Sequence, residues 1–281
     1  MNTASDWQGR VGSAWAAAWP RTERAFAQIA ERLDAAIAVH APPSGRALDI
    51  GSGVGSTSIA LAAARPNLDV QGADLSADLV AVARERAAGV ANLTFTVADA
   101  AAHARAIAPL DLIVSRHGVM FFDDPAHAFT ALAAAAAPGA PLVFSCFRSR
   151  AENPWAHVVD DALGIAPAGA GGYAPGPFGF GDEGFTAAML AAAGWSRVEA
   201  AAHDVAFVVG TGEGDALVED ALGFYRRIGP ASSVLAAAEP DARAAMEERL
   251  RDLLASRIDG GRAAFPAAIR IWTAHKGSNA A

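Results

Sequence analysis

The sequence predicts an α/β fold, a mostly parallel sheet with helices on both faces, and three observations carry that prediction. From Arg46 onward short apolar runs alternate with helical patterns, the rhythm of parallel strands joined by crossover helices. The first run ends in an acidic residue and then breaks into glycines at alternate positions, Ala47-Leu48-Asp49-Ile50-Gly51-Ser52-Gly53-Val54-Gly55, before a short helix of small residues. The later runs lead into Asp74, Asp99 and Ser115, which right-handed crossovers would gather at the carboxyl ends of the strands, where open α/β sheets bind ligands.

In chain order, Thr22 to Val39 places Phe26, Ile29, Leu33 and Ile37 on one helical face, and Pro42-Pro43-Ser44-Gly45 separates this arm from the first strand. Strands are expected near 46–50, 69–73, 93–97, 110–115 and 141–147, with helices near 56–64, 76–87 and 125–137. Residues 148–181 are rich in Gly and Pro but hold Trp155, Tyr173, Phe178 and Phe180, too aromatic for a solvated linker, and read as a lid. A helix at 182–193, a strand at 197–209, amphipathic helices at 215–228 and 241–258 and a last strand near 264–274 complete the chain. The expected division is a helical arm at 1–45, a ligand-binding core at 46–147, and a lid, inserted helices and final strands at 148–281 that finish the same domain.

Length and composition narrow the function. The chain has 281 residues, 53% of them hydrophobic, enough for a sizeable core. A formal charge of -8 speaks against wrapping nucleic acid or docking on an anionic membrane. The single cysteine, Cys146, excludes a disulfide within the chain and any multi-cysteine metal cluster. Asp6 and Arg10 interrupt any signal peptide, and Pro138-Gly139 and Pro141 cut the apolar stretch Ala126 to Phe147 into a helix and a strand, so a cytoplasmic protein, monomer or homodimer, is the expectation. No metal is expected: His157 with Asp160 and Asp161 lacks further histidines at ligand spacing, and Asp123-Asp124-Pro125 reads as a helix cap.

Glycines let the backbone take positive φ and let a ligand approach where a Cβ would clash, and the helix after them offers unpaired N–H groups. A dinucleotide fingerprint would need glycine at the place of Ser56, so the fit is to G-x-G-x-G. This stretch, with Asp74 after the second run, Ala98-Asp99-Ala100, and Asp111-Leu112-Ile113-Val114-Ser115, resembles the class I S-adenosylmethionine-dependent methyltransferases. More narrowly, Ser115 to Pro125 and Asn153-Pro154-Trp155 resemble their ubiquinone and menaquinone biosynthesis-like branch.

The resemblance implies a Rossmann-like, seven-stranded, mostly parallel sheet with an N-terminal helical arm and a helical lid or insertion. It implies S-adenosylmethionine as cofactor: Asp49, Gly51, Ser52 and Gly53 at the methionine moiety, Asp74 and Leu75 at the ribose, Asp99 and Ala100 at the adenine, Ser115 facing the transferred methyl, and Trp15 on an arm closing over the cofactor. Met120, Phe121, Trp155, Tyr173 and Phe178 would line an apolar acceptor pocket. His117 is the candidate catalytic base, against a reading in which it only shapes the pocket. The expected reaction is methylation of a small, largely apolar or aromatic molecule, oxygen first among acceptor atoms, carbon and nitrogen as alternatives. Two rivals stay open, an NAD(P)-dependent oxidoreductase and a cofactor-binding pseudo-methyltransferase without activity.

Overall fold

The computed structural model describes residues 4–166 and 172–277. Its strands are β1 (Ser44–Ile50), β2 (Asn67–Asp74), β3 (Leu93–Val97), β4 (Leu112–Arg116), β5 (Pro141–Phe147), β6 (Trp195–Thr211), β7 (Ile258–Asp259) and β8 (Arg262–Lys276). They form one sheet in the order β3-β2-β1-β4-β5-β8-β6, with the two-residue β7 pairing β8 off that path. The expected seven strands are the path, and β7 is an eighth. β1 to β5 pair in parallel, whereas β8 runs antiparallel to both β5 and β6.

Helices α1 (Ala4–Gln8), α2 (Arg10–Ala17) and α3 (Trp19–His40) precede the sheet. Helices α4 (Ser56–Ala64), α5 (Ala77–Arg86), α6 (Ala100–Ile107) and α7 (Pro125–Ala135) alternate with the parallel strands, and α8 (Pro154–Leu163) and α9 (Glu183–Ala192) lie between β5 and β6. Helices α10 (Gly214–Tyr225), α11 (Pro230–Ala237) and α12 (Pro240–Ala255) sit between β6 and β7. The central strands are buried on both faces, as parallel strands covered by crossover helices must be: β5 has no residue out of the core and β1 none from Ala47 to Ile50. α3 buries Phe26, Ile29, Leu33 and Ile37, the predicted face, but begins at Trp19 because Pro20 can open a helix at its first turn.

Three expectations change. Residues 100–107, unassigned in the sequence, form a helix capped by Asp99, whose Oδ1 accepts the Ala102 N–H at 2.8 Å. The stretch between the two inserted helices is itself the helix α11. Segment 148–181 is not one aromatic loop, since Pro154–Leu163 is a helix tied to the sheet. There Asn153 Oδ1 accepts from the Trp155 indole N–H at 2.9 Å and the Ala268 N–H at 3.0 Å, and the Tyr225 hydroxyl donates to the Trp155 carbonyl at 3.1 Å. Phe180 is fully buried against Phe129 and Phe144, in the core. Residues 167–171 of that segment lie outside the described residues. No helix among the described residues is long and apolar enough to cross a membrane.

Candidate functional site

A cavity of about 200 Å³ opens where the parallel strands end, and its wall takes residues from the end of each: Ile50 to Val54 after β1, Ala73 to Leu75 at β2, Ala98 to Ala100 after β3, Arg116 to Gly118 at β4, and Phe147 at β5. Burial without a hydrogen-bond partner costs a polar atom about 1–3 kcal/mol, so unpartnered atoms mark where a ligand belongs. Among the described residues nine buried side-chain nitrogen or oxygen atoms lack a partner, and five of the nine sit on residues lining this cavity: Trp7 Nε1, Asp49 Oδ1, Ser52 Oγ, Thr57 Oγ1 and His117 Nε2.

The polar end is built by the glycine loop. A Cβ on Gly51, which has φ +60°, would come within 2.8 Å of the Gly118 Cα, so the turns after β1 and β4 meet as closely as glycines permit. Asp74 fastens the loop: its Oδ2 accepts the Gly53 N–H and its Oδ1 the Ser76 N–H, both at 2.8 Å. The two oxygens together offer about four acceptor sites, so at least one is left for a further donor. Burial raises the Asp74 pKa, against the lowering pull of the backbone donors of Ser76, Gly53 and Leu75. Asp49 accepts the Ser58 hydroxyl on Oδ2 at 2.5 Å. Its pKa is pushed up to about 7, mainly by burial, with Ser58 and Arg116 opposing and Asp34 and Asp74 reinforcing. Leu75, Ser52, Asp99 and Ala100 also line this end.

Ser56, the position that breaks the dinucleotide fingerprint, serves an ion network. Its hydroxyl donates to Glu23 and accepts from Arg86 at 2.9 Å, while Glu23 also pairs with Arg116. Burial would raise the Glu23 pKa, but Arg116 and the hydrogen bonds hold it below the ordinary value. Glu23 and Arg116 both line the cavity between its polar and apolar ends, and neither carries a signal in the sequence, because they are 93 residues apart and each resembles a surface charge.

His117 follows β4 in the left-handed region at φ 64°. Ser115 shapes that turn: its buried hydroxyl donates to the Ile50 carbonyl at 2.8 Å and accepts from Gly118 N–H at 3.1 Å and Val119 N–H at 3.3 Å. Ser115 does not line the cavity, so the structure places it beneath the site rather than facing the transferred group. The His117 ring stands edge-on to Phe147 and Phe26, with centroids at 4.3 and 5.4 Å, and its Nδ1 lies 2.7 Å from Ser145 Oγ. Burial, with Arg116 adding repulsion, pulls its pKa down to about 3, so the imidazole is neutral.

Around His117 the cavity is apolar. Trp155 stacks on Phe207 at 4.8 Å and leans on Phe147 at 4.7 Å, and Phe224, Met120 and Phe121 continue the wall. Trp7 and Trp15 close it from the N-terminal helices, 5.5 Å apart. Two predicted acceptor residues stand elsewhere. The Tyr173 hydroxyl donates to the Phe122 carbonyl at 2.6 Å and reaches that of Met120 at 3.2 Å, and its ring packs on Phe180 and Phe185, so it anchors a loop. Phe178 packs against Phe147 and Trp155 without lining the cavity. Their places are taken by Phe26, Phe207 and Phe224, which in sequence are indistinguishable from core residues of α3, β6 and α10. Among the described residues no cluster of three His, Cys, Asp or Glu is placed to hold a metal ion.

Residues 47–139 match a family described as a methyltransferase domain. The fold is similar to that of a Bacillus halodurans protein assigned to the methyltransferases, 16% identical over 88% of this chain and 99% of that one, with a TM-score of 0.56. It is also similar to the YcgJ protein of Bacillus subtilis, 16% identical over 88% and 98%, TM-score 0.55. A third is a phosphoethanolamine N-methyltransferase of Haemonchus contortus, solved with phosphomonomethylethanolamine and S-adenosylhomocysteine, 18% identical over 88% of this chain, TM-score 0.51. The present chain spans 53% of that enzyme's length. No curated protein matches the sequence. The match to a methyltransferase domain covers residues 47–139, and the fold of the chain is the one these solved structures share.

Proposed function

We propose that this protein transfers the methyl group of S-adenosylmethionine to an oxygen of a small, largely apolar or aromatic molecule, with carbon and nitrogen as the alternative acceptor atoms. The observation that carries the reading is the division of one cavity into a polar end, with unpartnered Asp49, Ser52 and Thr57 oxygens, and a ring-lined end around His117. The residues fit the cofactor: Asp49, Ser52 and the Gly51 to Gly53 backbone would hold its methionine moiety, Asp74 and Leu75 its ribose, Asp99 and Ala100 its adenine, and Trp15 would cover it. Bound there, it supplies an electrophilic methyl on a sulfonium sulfur. The protein's part is to align the acceptor lone pair, exclude water and position any hydrogen bond to the reacting atom, the roles of Phe26, Phe147, Trp155, Phe207 and His117.

The apolar end supports a neutral hydrocarbon or aromatic body on the acceptor. Its nearest cation, Arg116, is already paired with Glu23, so it offers no free charge to a phosphorylated amine of the kind bound by the Haemonchus enzyme. The resemblance at Ser115 to Pro125 and at Asn153 to Trp155 to the quinone-biosynthesis branch supports the same choice. The test is to incubate the protein with S-adenosylmethionine and a panel of hydroxylated and carboxylated aromatics, reading S-adenosylhomocysteine and a methylated product by mass spectrometry. Phe224→Ala is expected to raise acceptor KM by roughly tenfold while leaving cofactor affinity within a factor of two, since it removes a buried wall of one end only. Cofactor binding without transfer to any acceptor would favour the non-catalytic reading, and thermal stabilisation by a nicotinamide dinucleotide alone would favour the oxidoreductase.

A further inference from the structure

We infer that Ser145 fixes His117 as a hydrogen-bond donor, with its proton on Nε2, and that the methyl acceptor therefore binds as an anion, that of an apolar carboxylic acid or acidic phenol. The inference rests on the methyl-transfer reading for the identity of the ligand, but its first half is a property of the protein alone.

Ser145 lies on β5 and is fully buried. Its hydroxyl has one partner, His117 Nδ1 at 2.7 Å. A serine hydroxyl carries a single proton, and a buried one needs an acceptor. If Nδ1 carried the imidazole proton, it would donate to Ser145 Oγ and strand the serine proton without any acceptor. With the proton on Nε2, Ser145 donates to the Nδ1 lone pair and both are satisfied. The neutral ring has only one proton to place, so satisfying Ser145 puts an N–H at Nε2, the buried and unpartnered atom of a residue that lines the cavity. The serine thus selects the tautomer from the side of the ring away from the ligand, as second partners of imidazoles do.

An Nε2–H cannot accept a proton. The other titratable groups along this wall are paired or stand at the polar end. Glu23 on α3 is held by Arg116 and Ser56, Arg116 on β4 is held by Glu23, and Asp49 on β1 accepts from Ser58 of α4 on Oδ2 and keeps its unpartnered Oδ1 at the polar end. Asp74 and Asp99 lie at the polar end, with Asp74 accepting backbone N–H groups and Asp99 capping α6. With no base at the apolar end, an acceptor hydroxyl has nowhere to send its proton, so the oxygen must arrive without one. The acceptor oxygen then uses a lone pair to form the O–CH3 bond as the S–CH3 bond breaks, with that bonding pair remaining on sulfur and no proton moving. An anion meeting a sulfonium cation becomes two neutral products, a change favoured where water is excluded. Nε2–H steadies the oxyanion beforehand and the surrounding rings receive its apolar body.

The test is nitrogen-15 NMR of the histidine rings in the ligand-free protein and with S-adenosylhomocysteine bound, from pH 5 to pH 8. The expected spectrum shows His117 in a single tautomer, protonated at Nε2 throughout. A proton on Nδ1 overturns the inference whatever the protein methylates. Ser145→Ala, with folding checked by thermal unfolding, is expected to release the ring into a mixture of tautomers, and an unchanged tautomer would remove Ser145 from the positioning role. For the ligand class, 1-naphthoate added to the S-adenosylhomocysteine complex is expected to move the Nε2–H resonance, whereas 1-naphthylmethanol leaves it in place. A response to the alcohol alone, or to neither probe, contradicts the anionic class. Failure of S-adenosylhomocysteine itself to bind would be read separately by calorimetry and would count against the methyltransferase reading, not against the tautomer.

Discussion

Asp49 and His117 face the same cavity, and burial moves their pKa values in opposite directions, so each leaves its own signature on stability. The Asp49 pKa rises from 3.8 to about 7 in the folded chain. Its stabilising contribution is complete below the unfolded value and is lost as pH climbs from about 4 through about 7, where the buried carboxyl is forced to ionise. Asp49→Asn should flatten that loss, worth on the order of a few kcal/mol in the absence of ligand. His117 is the reverse case. Its pKa falls from 6.5 to about 3, so its contribution is present above about 6.5 and disappears as pH drops toward 3. Denaturant unfolding of the wild type, Asp49→Asn and His117→Gln between pH 4 and 8 separates the two. A wild-type curve that parallels both variants would mean that neither side chain is as buried as the structure has it.

We propose that Asp49 also links cofactor binding to protons. A cationic ammonium placed beside it favours the carboxylate, so binding releases a proton and affinity for S-adenosylhomocysteine should increase from pH 5 to about 7. Calorimetry in buffers of different ionisation enthalpy detects the release, and its absence would move the ligand's ammonium away from Asp49.

At the scale of elements, the cover over the site combines the N-terminal helices with α8 from the middle of the chain. α2 reaches it through Gly12, where a Cβ would stand 2.3 Å from Ser76 Oγ, and Ser13 binds Asp78 at 2.5 Å. Ser76 in turn caps α5 directly after Asp74. Gly12→Val should lift the N-terminal helices, which carry Trp7 and Trp15, and weaken S-adenosylhomocysteine binding by roughly tenfold, about 1.4 kcal/mol, with little change in the melting temperature. Unchanged affinity would show that these helices do not contribute to the site. α8 behaves differently. Anchored by Asn153, the Arg150–Asp160 ion pair and Tyr225, it should be protected from hydrogen exchange with or without ligands. We propose that any lid motion is confined to the N-terminal helices and to the described residues 172–181, and ligand-dependent protection within α8 would contradict this.

Over the whole molecule, what could be read in the sequence is what is encoded locally. The parallel strands and the turn at Gly51 were legible because apolar runs, glycines and an acidic residue sit next to one another, and each of those features acts within a few residues. Helix α6 was not, since Ala100–Ile107 has too few large apolar residues to show a period and is defined by the Asp99 cap. Polar cavity residues such as Asp49, Asp74 and Asp99 could be named because they sit at or just beyond the ends of strands. The ring-lined end could not, since Phe26, Phe147, Phe207 and Phe224 meet only after α3, β5, β6 and α10 have packed, and Ser145 acquires meaning only opposite His117. That Ser115, Tyr173 and Phe178 stand outside the cavity lining was hidden for the same reason: sequence order gives the end of a strand or an aromatic loop, but not which side of the wall a side chain occupies.

We propose that Asp74 holds the ribose, and the glycine loop the methionine moiety, of S-adenosylmethionine in this cavity, and calorimetric titration with S-adenosylhomocysteine tests this most directly. The wild type should bind one equivalent. Asp74→Ala, folded as judged by its melting transition, should bind about one to two decades more weakly, the loss of roughly 1.5–3 kcal/mol expected when a buried charged acceptor of hydrogen bonds is removed. A wild type that does not bind, or an Asp74→Ala protein that binds as tightly, would contradict the account.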